Sequence, residues 1–116
     1  NPPVIKLYTN GFTNLKNPIK IEIKDDTGIK GYKIVLITPN IVEELMNVEE
    51  PALKKNVILN LKLPKNITSK QIKLIIEAYD VSKWHFFAGN VSKKEVVLSV
   101  DKTAPDAQVV NNSYAI

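Results

Sequence analysis

Apolar and polar residues alternate with a period of two along most of this chain. Ile19-Lys20-Ile21-Glu22-Ile23-Lys24 places isoleucine on one side and charge on the other, the pattern of a strand with one wet face. Val57, Leu59, Leu61 and Leu63 repeat it, as do Ile72, Leu74, Ile76 and Ala78. Tyr32, Ile34 and Leu36 share a face, while Val35 and Ile37 indicate partial cover on the other. The pattern predicts strands at Val4–Tyr8, Ile19–Lys24, Tyr32–Thr38, Val57–Leu63, Gln71–Asp80 and Glu95–Asp101. Asp25-Asp26-Thr27-Gly28 reads as a tight turn between two of them. Ile41–Met46 reads as one helical turn or a covered loop, Glu49–Lys55 with Pro51 as a connection, and Val81–Asn90 as a long hairpin loop.

Six or seven strands without a sustained helical period predict an all-β fold, an Ig-like antiparallel β-sandwich. Its expected core is Ile21, Ile34, Leu59, Leu74, Ile76 and Leu98. Residues 1–105 form the expected module. Residues 106–116 read as a linker and first strand of a following domain, with Gln108-Val109-Val110 as that strand. The opening Asn1-Pro2-Pro3 carries neither an initiator methionine nor a basic and apolar leader, and reads as a cut from a longer polypeptide.

Composition then narrows the chemistry. The net charge of +4 is carried by lysine alone, because the sequence has no arginine. Nucleic-acid recognition commonly uses the planar guanidinium fork, so the lysines read as the solvated face of a sheet. There is no cysteine and hence no disulfide, and no apolar run approaches the ~20 residues of a membrane span.

Candidate chemistry is sparse. Asp25, Asp26, Asp80, Asn90 and Asp101 are the oxygen ligands that sandwich loops could gather for calcium; the same residue types also serve as turn and strand-end residues. His85 is the single histidine, too few for zinc, and Ser82 three residues away carries no sign of an activated nucleophile. No catalytic, cofactor or metal residue is assigned in this chain. Trp84-His85-Phe86-Phe87 is the candidate interaction loop, open to three roles: a lid on the core, a contact with another domain, or a platform for a sugar ring. Asn66-Ile67-Thr68, Asn90-Val91-Ser92 and Asn111-Asn112-Ser113 match the glycosylation sequon.

Asp25-Asp26-Thr27-Gly28-Ile29-Lys30 before Tyr32, Ala78-Tyr79-Asp80, Trp84 through Gly89-Asn90, and Val100-Asp101-Lys102-Thr103-Ala104-Pro105 together resemble a bacterial Ig-like module. More closely, the chain resembles the non-catalytic N-terminal region of LytM/lysostaphin-type metallopeptidases of Gram-negative bacteria. Asn112-Ser113-Tyr114-Ala115-Ile116 resembles the lead-in to their next β-domain. Those enzymes cleave peptidoglycan cross-links with zinc held by His-x-x-x-Asp and His-x-His motifs. Neither motif occurs here, so no catalytic residue carries over. The resemblance implies a periplasmic or cell-envelope accessory domain that positions or regulates a zinc endopeptidase domain downstream. Its partners would be that neighbouring domain, peptidoglycan or an envelope protein, with no nucleic acid. The alternative is a carbohydrate- or protein-binding adhesion module using the Trp84 loop.

Overall fold

A computed structural model describes residues 3–80 and 91–103 of the chain. The fold is all-β, with no helix among the described residues. Six strands, β1 (Val4–Tyr8), β2 (Phe12–Thr13), β3 (Ile19–Ile37), β4 (Val42–Leu61), β5 (Gln71–Tyr79) and β6 (Val91–Val100), join in one curled sheet. The order is β1-β3-β5-β6-β2, with β4 paired to the other edge of β3. All pairings are antiparallel except β2 with β6, which is parallel and corrects the expectation of a purely antiparallel arrangement.

The sandwich-like form comes from the long β3–β4 ribbon, which folds over on itself. The first arm of β3 pairs with β1, setting Ile21 opposite Leu7, while its second arm pairs with β5, setting Ile34 opposite Ile76. On its other edge both arms of β3 pair with β4, Ile21 with Leu59 and Ile34 with Met46, with the ladder interrupted at the bend. One layer is therefore β1 with the first arm of β3 and the last arm of β4. The other is the second arm of β3, the first arm of β4, then β5, β6 and β2. Strands that change layer through bulges are a known way to turn the corner of a sandwich.

The sequence encodes this corner as a slip in the alternation. Ile19, Ile21 and Ile23 are buried on one side of it and Tyr32, Ile34 and Leu36 on the other, so the inward phase changes from odd to even. Register shifts fall at Lys24/Ile29 and Ile29/Gly31. The expected tight turn at Asp25–Gly28 is thus a bulged bend inside β3, not a break between strands. Asp25 Oδ1 accepts from the Thr27 amide and hydroxyl, both at 3.3 Å. Gly28 has φ of 114°, where a side chain is strained, and a Cβ there would lie 2.7 Å from Leu53 Cβ on β4.

Ile41–Met46 and Glu49–Lys55 were expected as a helical turn or loop and a connection. Residues 42–46 and 49–55 instead lie within β4, and Ile41 closes the turn before it through hydrogen bonds with Thr38. Among the described residues β4 pairs on one side only, so no ladder there asks an amide of Pro51, and Glu43, Glu44 and Glu49 are exposed. Propensity alone underrated it.

All six expected core residues are buried, in one cluster fed by both layers. Leu63 and Ile67 plug its far end from the loop after β4, and Leu15 (φ 64°) does so from the loop after β2. Ser92 Oγ donates to the Pro3 carbonyl, tying the start of β1 to the start of β6.

Candidate functional site

The folded ribbon gives the molecule two poles. The bend pole holds the start of β1, the end of β5 and the start of β6, because Val4 lies opposite Lys24 and Tyr79 links Gly31 to Val91. The far pole holds the end of β6, where the Asp101 amide donates to the Thr13 carbonyl at 2.9 Å and the Val100 amide to the Lys70 carbonyl at 2.8 Å.

Trp84, His85, Phe86 and Phe87 lie outside the described residues, as do Asn90 and residues 104–116. What is placed is the base of the Trp84 loop, since Asp80 and Val91 flank it at the bend pole. The described oxygen ligands divide between the two poles. Asp25 and Asp26 lie in the bend and Asp80 ends β5 at the same pole, whereas Asp101 is at the opposite one. No group of three or more His, Cys, Asp or Glu that could hold a metal occurs among the described residues. Asp101 Oδ1 accepts from the Thr103 amide at 3.0 Å and hydroxyl at 2.7 Å, the same Asp-x-Thr turn that Asp25 makes with Thr27. Both aspartates are local turn formers.

Two polar clusters escaped the sequence reading. On the outer face of the three-stranded layer, Glu22 is nearly buried. Its Oε1 accepts from Tyr8 Oη at 2.7 Å, its Oε2 from Asn56 Nδ2 at 3.4 Å, and Lys24 Nζ lies 3.7 Å away. The Tyr8 hydrogen bond, aided by Lys24, Asn56 and Lys6 against desolvation, holds the Glu22 carboxyl below its ordinary range. The same bond, with burial and the facing carboxylate, raises Tyr8. At the bend, buried Glu50 accepts from Tyr32 Oη at 3.2 Å and pairs with Lys54 Nζ at 3.4 Å, while Lys30 Nζ donates to the Glu50 carbonyl at 2.8 Å. Burial and Glu50 raise the Tyr32 phenol. Each cluster joins strands distant in sequence, so no local motif announces it.

An open groove of about 770 Å³ marks the far pole, with Ile37, Pro39, Lys70, Lys73, Val97 and Ser99 among its lining. Ser69, which also lines the groove, donates to the Gln71 carbonyl at 3.0 Å, and Ser92 at the other pole donates to the Pro3 carbonyl. No described helix is long and apolar enough to cross a membrane. No family model, curated protein or solved structure matches the chain.

Proposed function

We propose that this chain is a non-catalytic Ig-like spacer module of an exported cell-envelope protein, which holds a downstream domain, a zinc peptidoglycan endopeptidase, at a set distance and orientation. The observation that carries the reading is the separation of the first and last described residues. The described body begins at Pro3, beside Ser92, and its last strand ends beside Asp101, nine residues further along the β6 direction. At about 3.3 Å per residue the two points are roughly 30 Å apart, at opposite poles. A body threaded end to end extends a linear array, whereas one whose ends meet at a single pole hangs from it. The resemblance of the Asp25–Lys30, Ala78–Asp80 and Val100–Pro105 segments supplies the cell-envelope setting.

The test uses the polypeptide that carries this module. Replacing residues 3–103 by a flexible Gly/Ser linker is expected to lower cleavage of intact peptidoglycan while leaving cleavage of small soluble muropeptides unchanged. Equal activity on both substrates overturns the spacer role. Saturable quenching of Trp84 fluorescence by glycan fragments, in the isolated chain, replaces it with the adhesion reading.

A further inference from the structure

The long free edge of β4 is the most conspicuous unpaired surface of the described body. β4 runs for 20 residues and, among the described residues, pairs with β3 alone, so within the described body its outer edge carries unpaired amides and carbonyls on both sides of the bend. Its charges are divided at the bend. The first arm carries Glu43, Glu44 and Glu49 and no lysine, while the second carries Lys54 and Lys55, followed by Lys62, and no acid. Glu43, Glu44, Glu49, Lys54, Lys55 and Lys62 are all exposed.

Shape and charge select the same partner. A straight foreign strand can follow one arm of a folded edge but not both. A strand with the same fold, running antiparallel and placed so that the two bends coincide, follows the whole edge. That strand is a second β4, related by a two-fold axis through the bend, in an isologous contact. The axis also places each acidic arm against a basic one, whereas a parallel arrangement stacks like charges. Residues 50–53 are the longest run of β4 without a β3 partner, between Glu49 opposite Gly31 and Lys54 opposite Ile29. With the axis at their midpoint, Glu49 falls opposite the partner's Lys54, Asn47 opposite the partner's Asn56, and Met46 opposite the partner's Val57. Pro51, which has no amide to give, sits beside the axis where the ladder is already interrupted.

We propose that this chain forms a two-fold dimer through its β4 edges, in which the five-stranded layer of each copy continues into the three-stranded layer of the other. The exposed Leu53 and Ile58 would add apolar contact to the charge pairs.

A charge swap tests it. Sedimentation of the full chain at about 0.01 M salt, where charges act over about 30 Å, is expected to show a concentration-dependent dimer that weakens towards 1 M. Glu49→Lys alone and Lys54→Glu alone each set like charges opposite one another twice. Each should weaken the dimer about tenfold or more. An equimolar mixture of the two variants restores both opposite-charge pairs and should dimerise as the parent does. Circular dichroism checks that each variant folds, because Lys54 also meets Glu50. Independently, amides of residues 42–49 and 54–61 in the unaltered chain should exchange faster on dilution. A parent chain that stays monomeric at low salt up to about millimolar concentration, where even a weak −4 kcal/mol association shows, overturns the proposal. So does a mixture no better than its components.

Discussion

The two layers of this molecule share one core yet finish their outer faces differently. The three-stranded layer turns out a polar grid in which Lys6, Glu22 and Ile58 lie in one row, Lys24 and Asn56 in the next, and Tyr8, Lys20 and Asn60 in a third. Glu22 gathers that grid, and Lys20 Nζ sits 4.9 Å over the Tyr8 ring. The five-stranded layer instead places Val35 beside Ile75, sets Ile37, Lys73 and Val97 in one row, and lays Tyr79 across Gly31. One outer face is closed by side chains that bond to each other; the other rests on half-buried aliphatic packing. The difference shows that the wet face of a strand is decided by its cross-strand neighbours, since Glu22 and Lys24 look alike in sequence and end at 9% exposure and exposed, respectively.

If the layers are a single cooperative unit, core truncations in either one should behave alike. Ile21→Ala in the smaller layer and Ile76→Ala in the larger are each expected to cost about 2–5 kcal/mol, with one urea transition by circular dichroism. Two transitions, or a loss confined to one layer, would break the comparison.

A smaller effect separates the outer faces. A Cβ at Gly31 would collide with the Tyr79 phenol and come within 2.8 Å of the Val48 carbonyl oxygen, which belongs to the backbone and yields little. Gly31→Val should therefore cost about 1–3 kcal/mol. Adding Tyr79→Ala should recover part of that loss, so the double variant is less impaired than the sum of the singles. Strict additivity would show that the ring does not fill the glycine gap.

The three-stranded layer should carry the acid sensitivity of its outer face. Glu22 is lowered in the folded state, chiefly by Tyr8, so its contribution is complete above the ordinary glutamate value of about 4.3 and fades as pH falls through the lowered one. Tyr8→Phe should move the Glu22 carboxyl titration upward in an NMR titration, and Glu22→Gln should flatten the acid side of a melting-temperature profile. An unmoved Glu22 titration would deny the hydrogen bond its role.

The smallest expected change lies where the layers meet on the open side. Lys94 stands opposite Ile76 in the inward phase of β6, and burial together with nearby Lys6 lowers its affinity for the proton. A lowered lysine costs stability while it is charged, a cost that fades as pH rises toward its ordinary value. Lys94→Met should raise the melting temperature at neutral pH, by no more than about 1 kcal/mol in stability because the site is largely solvated. An inward charge also guards the free part of the β6 edge, so the variant should aggregate more readily in a light-scattering assay.

Much of the fold was legible in the chain. Alternating Ile, Val and Leu named the strand arms and all six expected core residues, because a period of two commits every second side chain to one face. The first arm of β4 was not legible. Val42-Glu43-Glu44-Leu45-Met46 and Pro51 read as helix or loop by local preference, and β3 supplies the pairing that makes them strand. The candidate interaction loop, Trp84 to Phe87, lies outside the described residues. The sequence offered Asp25, Asp26, Asp80, Asn90 and Asp101 as oxygen ligands or as turn and strand-end residues, and among the described ones Asp101 stands at the pole opposite Asp25, Asp26 and Asp80. Glu22 and Glu50, which do gather partners, looked like ordinary surface acids.

By itself, then, the sequence determined the all-β class, the inward phase of each arm and the slip at Asp25–Gly31 that turns the corner, because these follow from short-range periodicity and the needs of a few φ angles. Tertiary structure decided how the arms stack, which acids sink, and that the first and last described residues lie at opposite poles. Those outcomes depend on contacts between residues far apart in the chain, whose pairing energy no local window contains.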